Sequence, residues 1–199
     1  MKIFLAFTLL LVIASIFLSF QQNKGDKMGG SISPAKSFWL FYCIYTWFLL
    51  LPFILYKELV PEPLYTLWLG FVGWMIFRGA AEMFMMFITK NWTPPLGIAH
   101  NISCIAWLVL GSIYYRTTLS TLELPFIIFH ISLIIGLFME TYYAIVFYKI
   151  VGSKTKGDKA VWYANKEDPI FKRVVKITAL FNFPLYGCLI FFTESLVYF

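Results

Sequence analysis

Six apolar runs, each close to the length of a membrane crossing, take up most of the chain. They fall at about 3–20, 37–57, 64–89, 96–115, 124–150 and 171–197. A helix rises 1.5 Å per residue, so about 20 apolar residues cross about 30 Å of hydrocarbon. No water reaches that layer, and a helix satisfies its own backbone donors within one segment. The run lengths therefore predict an all-α, polytopic transmembrane helical bundle of six spans, one integral membrane domain over residues 1–199. Composition agrees, with 60% hydrophobic and 13% charged residues, against roughly half and roughly a quarter in soluble domains. The expected location is a cell or plasma membrane, crossed many times.

The segments between the runs carry turn and cap signals. Residues 21–36 are polar and contain glycine, and Pro52 is placed to kink the second span. Lys57-Glu58-Leu59-Val60-Pro61-Glu62-Pro63 makes a short, stiff turn before the third. Thr93 stands as N-cap before Pro94 and Pro95 at the fourth span, and Ser120 with Glu123 has capping-box spacing before the fifth. Asp168-Pro169 supplies a cap and a first helical position for the sixth. A signal peptide would end in small residues, whereas Ser19-Phe20-Gln21-Gln22 does not, so residues 3–20 read as a retained span.

Basic residues orient the bundle. One side carries Lys2, Lys57 and Arg116; the other carries Lys24, Lys27, Lys36, Lys90, Lys149, Lys154, Lys156, Lys159, Lys166, Lys172, Arg173 and Lys176. The richer side is cytoplasmic by the positive-inside rule. Both termini are then non-cytoplasmic, and the basic loop 152–170 is cytoplasmic. This grouping at membrane edges also accounts for the net charge of +6 without nucleic acid, whose binding calls for a basic stripe interleaved with aromatics.

Within the third run, Arg78 and Glu82 stand four residues apart, on one helix face. Ionisable groups at such depth are costly and normally face a bundle interior or a wet cavity. An intrahelical pair could simply neutralise itself, but desolvation offsets most of the Coulomb gain of a buried pair, so its presence points to use. Glu140, in the fifth run, has no charge partner on its own helix. It shares a face with Ser132, Gly136 and Ala144, a small-residue stripe that permits close approach of another helix. Tyr143 lies one turn on. The expectation is that the fifth span packs tightly on the third, so that Arg78 reaches both glutamates. Alternatively Glu140 stays protonated in apolar surroundings.

His100 and Asn101 enter from the fourth span, and Thr178, Asn182 and Tyr186 share a face of the sixth, where Pro184 frees a carbonyl near Asn182. His100 and His130 should differ in height by about 15 Å, too far to ligate one haem iron within a single chain. Each reads more simply as a hydrogen-bonded packing residue. The ligand count falls short of a zinc or di-iron centre, so no metal site is assigned. Met75, Met83, Met85 and Met86 suit apolar gap filling better than copper, and Cys43, Cys104 and Cys188 lie in separate runs without CxxC spacing. Nucleophile, zinc-protease and phosphate-loop motifs do not occur in the sequence.

The expected function is binding or transport of a small polar substrate, ion or proton at Arg78, Glu82 and Glu140, with His100, Asn101, Asn182 and Tyr143 around them. Two other classes stay open: a non-catalytic subunit of a membrane assembly, and an intramembrane lipid-modifying enzyme using a glutamate or His100 as base. Enzymatic activity and cofactor are not decided by these residues. The partners expected are membrane lipid and the small ligand, with a homo-oligomer or a membrane partner subunit as further options.

Overall fold

The computed structural model describes residues 57–85, 94–152 and 182–198, together with positions 6, 8–10, 12–14, 54, 55 and 88. Most of the first two expected spans, the expected loop 152–170 beyond Gly152, Pro52, Thr93, Asp168-Pro169 and Thr178 lie outside the described residues. Among those described, every regular element is helical and no strand occurs. A 3-10 turn at Lys57–Leu59 precedes α1 (Leu64–Phe84), α2 (Pro94–Tyr114), the short α3 (Arg116–Leu119), α4 (Leu124–Gly152) and α5 (Asn182–Tyr198). Three helices are long and apolar enough to cross a membrane, over Leu64–Ala81, Pro95–Tyr114 and Leu124–Val146.

Prolines mark where these helices begin. α2 opens on Pro94-Pro95 and α4 carries Pro125 in its first turn, where a missing N–H leaves no donor unsatisfied. At α1 the carbonyls of Pro61 and Pro63 accept from the backbone of Tyr65 and Leu67, and Thr66 donates its hydroxyl to Glu62 at 2.9 Å. The expected capping box at Ser120 does not organise the start of α4. The hydroxyls of Ser120 and Thr121 turn back to the carbonyls of Thr117 and Thr118, at 2.7 and 2.8 Å. The physical reason is α3, whose last turn leaves carbonyls that need donors and whose C-cap is Ser120 itself.

α1 lies along α2, α2 along α4, and α4 along α5. Small residues set the closest approaches. A Cβ on Gly111 would collide with Leu67, and one on Gly70 would come within 2.6 Å of the Trp107 ring. The Trp107 indole covers Gly70 and donates its N–H to the Leu67 carbonyl at 2.9 Å. Gly70→Val is therefore expected to push the indole off this notch and destabilise by about 1–3 kcal/mol, which outweighs the few tenths that valine gains over glycine in helix propensity. Thermal unfolding of the detergent-solubilised variant reads this directly.

The expected tight packing of the third span on the fifth is not what forms. The close backbone partners of α4 are α2 and α5, and Ser132 of its small-residue stripe meets α5, where a Cβ on Gly187 would collide with it. α1 and α4 instead meet through long side chains. Trp68, fully buried on α1, stacks edge-on against Phe129 with centroids 5.1 Å apart. Phe126 and Phe129 of α4 and Phe191 and Phe192 of α5 complete the aromatic cluster, with Phe129 and Phe191 centroids 4.7 Å apart. Bulk of this size fills the gap that holds the two backbones apart. On the outward faces, Leu69, Ile76, Phe77, Leu110, Ile113, Ile131 and Phe138 are exposed, so the surface of these helices is apolar too.

Candidate functional site

Two polar knots sit inside this apolar assembly, one near each end of the α1–α2 pair. The first gathers around Arg78. Its Nη1 donates to Asn101 Oδ1 at 2.6 Å and to Glu140 Oε1 at 3.1 Å. One guanidinium nitrogen thus joins α1, α2 and α4, and its two hydrogens are both used. Side-chain exposure is only 11% for Arg78 and 6% for Glu140. Gly97 on α2 makes room for the guanidinium, since a Cβ there would lie 3.4 Å from Nη2.

Asn101 is fully buried. Its Oδ1 must face the arginine, because the opposite amide orientation would set two donors against each other. That choice leaves Asn101 Nδ2 with no hydrogen-bond partner among the described residues. A buried donor without an acceptor costs about 1–3 kcal/mol. The site therefore holds one more buried donor than the described side chains satisfy.

His100 stands beside this knot. Its Nε2 lies 2.8 Å from the Trp74 carbonyl, which can only accept, so Nε2 carries the proton. Cys104, one turn further along α2 and also buried, has its sulfur at 3.8 Å from Nδ1 and 3.7 Å from Nε2. Near-equal distances to both ring nitrogens mean that the sulfur does not point along either lone pair. The pair is a helix contact and lacks the aimed geometry of a nucleophile and its base.

The second knot is closed. The Trp68 indole N–H donates to His130 Nδ1 at 3.1 Å. The imidazole proton is then on Nε2, which faces Ser112 Oγ at 2.7 Å, and the serine hydroxyl passes its own hydrogen to the Leu108 carbonyl at 2.6 Å. Every donor in the chain from indole to carbonyl has an acceptor, so this network ties α1, α2 and α4 together and has no capacity left for a ligand. The two histidines serve different networks, consistent with their separate depths.

Of the expected site residues, Arg78, Glu140, Asn101 and His100 come together. Glu82 lies on α1, Tyr143 on α4 and Asn182 at the start of α5, but their side chains lie outside the described residues. Tyr186 is 39% exposed. Gly97 and the Trp74 carbonyl were not anticipated, and neither was the Trp68–His130–Ser112 network. A signal for the network exists: Trp68 and His130 lie within about two turns of the starts of α1 and α4, and Ser112 within one turn of the end of α2. Among the described residues no group of three His, Cys, Asp or Glu side chains could hold a metal ion. No protein-family model, curated protein or solved structure matches this chain.

Proposed function

We propose that this chain is a multi-pass membrane protein that binds or transports a small polar solute, ion or proton at the Arg78–Asn101–Glu140 knot. The observation that carries the reading is the knot itself: an ion pair and an incompletely satisfied amide, buried where three span-length helices meet. Apolar exposed faces on those same helices suit a lipid environment, since in water such surface would drive association. In this reading the six apolar runs all cross the bilayer, both termini are non-cytoplasmic, and 152–170 is the cytoplasmic loop. Glu82, Tyr143 and Asn182 line the same path from α1, α4 and α5.

Buried ion pairs contribute little net stability, because desolvation offsets their attraction. A chain that needed only packing here would do as well with apolar side chains. Arg78 also finds its acceptors within the chain, which weighs against a subunit whose charges await a partner helix. His100 is buried, which weighs against a base open to a lipid substrate.

Flux through proteoliposomes tests the proposal. Vesicles holding a pH-sensitive dye and the wild-type protein are expected to show solute-dependent or proton flux. Glu140→Gln, checked for correct folding, is expected to lose at least nine-tenths of it. Well-folded wild-type protein that moves neither protons nor any of a panel of small anions, cations and zwitterions would overturn the reading.

A further inference from the structure

We infer that the Arg78 knot holds one buried water molecule, which accepts a hydrogen bond from Asn101 Nδ2 beside Gly97 and donates to the Glu140 carboxylate. The geometry of the amide comes first. Asn101 is fully buried, and its described side-chain contacts all lie on Oδ1: Arg78 Nη1 at 2.6 Å and His100 Nδ1 at 3.4 Å. Nδ2 has no hydrogen-bond partner among the described residues. Exchanging the two ends of the amide is no remedy, because Nδ2 would then face the guanidinium. Buried polar groups rarely stay in that condition, and an ordered water is a common remedy.

A water needs room and at least two polar partners. Room comes from Gly97, one helical turn before Asn101 on the same face of α2. A Cβ there would meet only the guanidinium among the described residues, with Nη2 at 3.4 Å and Cζ at 3.8 Å. The missing side chain thus leaves a small space bounded by Arg78, one turn from the amide. It lies about 5 Å along α2 from Pro94, and Gly97 is only half-buried, so a water has a short way in.

The second polar partner is Glu140, whose Oε1 shares Arg78 Nη1 with Asn101 Oδ1. A carboxylate offers about four acceptor positions, so it can take a hydrogen bond from the water alongside its other contacts. Water is neutral, and its binding leaves the charges of Arg78, Glu82 and Glu140 as they are. The inference stands on the amide and the space beside it, independently of the transport reading. Under that reading, this is the water that an acceptor oxygen of the solute displaces.

Magnetisation transfer from water, followed by solid-state NMR on the full-length protein in liposomes, tests the site. The sample carries 13C,15N-asparagine and histidine labelled at the carbonyl carbon. Asn101 is then identified as the asparagine that follows a histidine, since His130 is followed by Ile131. Water protons are expected to reach Asn101 Nδ2 sooner than the backbone nitrogen of the same residue, whose N–H lies within a helix. Gly97→Ala puts a methyl group into the space at an ordinary contact distance, so it is expected to fold and to cut the transfer to Nδ2 by about half or more. Transfer that reaches Nδ2 no sooner than the backbone nitrogen would overturn the inference, as it would if the amide instead bonds the side chain of Glu82 or Tyr143. Transfer undiminished in folded Gly97→Ala would overturn it too. If that variant does not fold, the wild-type comparison decides alone. Neither result bears on the flux experiment, which tests the transport reading separately.

Discussion

Arg78→Met is expected to destabilise the protein by about 3–5 kcal/mol, the loss found when one partner of a buried pair is removed. Methionine fills a similar volume, so the loss comes from charge and hydrogen bonding. Glu140, with 6% side-chain exposure, is left without the cation that faces it, and Asn101 Oδ1 loses a donor at 2.6 Å. Asn101 Oδ1 would then keep only the contact to His100 Nδ1, at 3.4 Å. Because the guanidinium holds α1, α2 and α4 through one nitrogen, the expected phenotype is global: a lower unfolding midpoint and a smaller monodisperse fraction in size-exclusion chromatography. An exposed ion pair would lose no more than about 1 kcal/mol on the same substitution. The size of the effect thus separates a buried knot from a surface contact.

Trp68→Ala is the second large loss expected, at about 3–5 kcal/mol for a large aromatic removed from a packed core. Trp68 is fully buried and touches rings from two other helices, Phe129 at 5.1 Å and Phe191 at 6.4 Å between centroids. It also supplies the N–H that occupies His130 Nδ1. Alanine opens a cavity at the point where α1 meets α4 through side chains, and strips His130 of its donor. Trp68→Phe restores most of the volume but not the donor, so it is expected to recover more than half of the stability. A Phe variant as unstable as the Ala variant would shift the weight from packing to the hydrogen bond.

Much of this arrangement could be read in the amino-acid order, for identifiable reasons. The third, fourth and fifth apolar runs, expected at 64–89, 96–115 and 124–150, coincide with helices at Leu64–Phe84, Pro94–Tyr114 and Leu124–Gly152. Prolines fix the starts to within two residues. Past Phe84 the third run goes on in π-helical backbone at Met85 and Ile88, and its expected end near 89 lies outside the described residues. Arg78, Asn101 and Glu140 stood out because so few polar side chains occur within the runs, and each needs a partner.

Neighbour order was not legible. The stripe of Ser132, Gly136, Glu140 and Ala144 says that some helix can come close, and nothing in its spacing names which one. Ser132 in fact meets Gly187 of α5, while Arg78 reaches Glu140 by its length, without close backbone packing. The capping-box spacing at Ser120 was misleading for a similar reason. A hydroxyl bonds the nearest group in need, and the short α3 placed unsatisfied carbonyls behind it instead of donors ahead. The Trp68–His130–Ser112 network carries no periodic signal at all, since its members are separated by 62 and 18 residues.

A double-mutant cycle on Arg78 and Glu140 bears most directly on the buried pair, from which both the helix arrangement and the ligand chemistry proceed. Unfolding free energies of wild type, Arg78→Met, Glu140→Leu and the double variant would be measured in one detergent. With the pair buried, each single variant is strongly destabilised, and the double variant recovers to near or above wild type, because two apolar side chains replace two mutually dependent charges. A double variant whose loss equals the sum of the two single losses would mean that the charges act independently, and would contradict a buried Arg78–Glu140 pair at the centre of this protein.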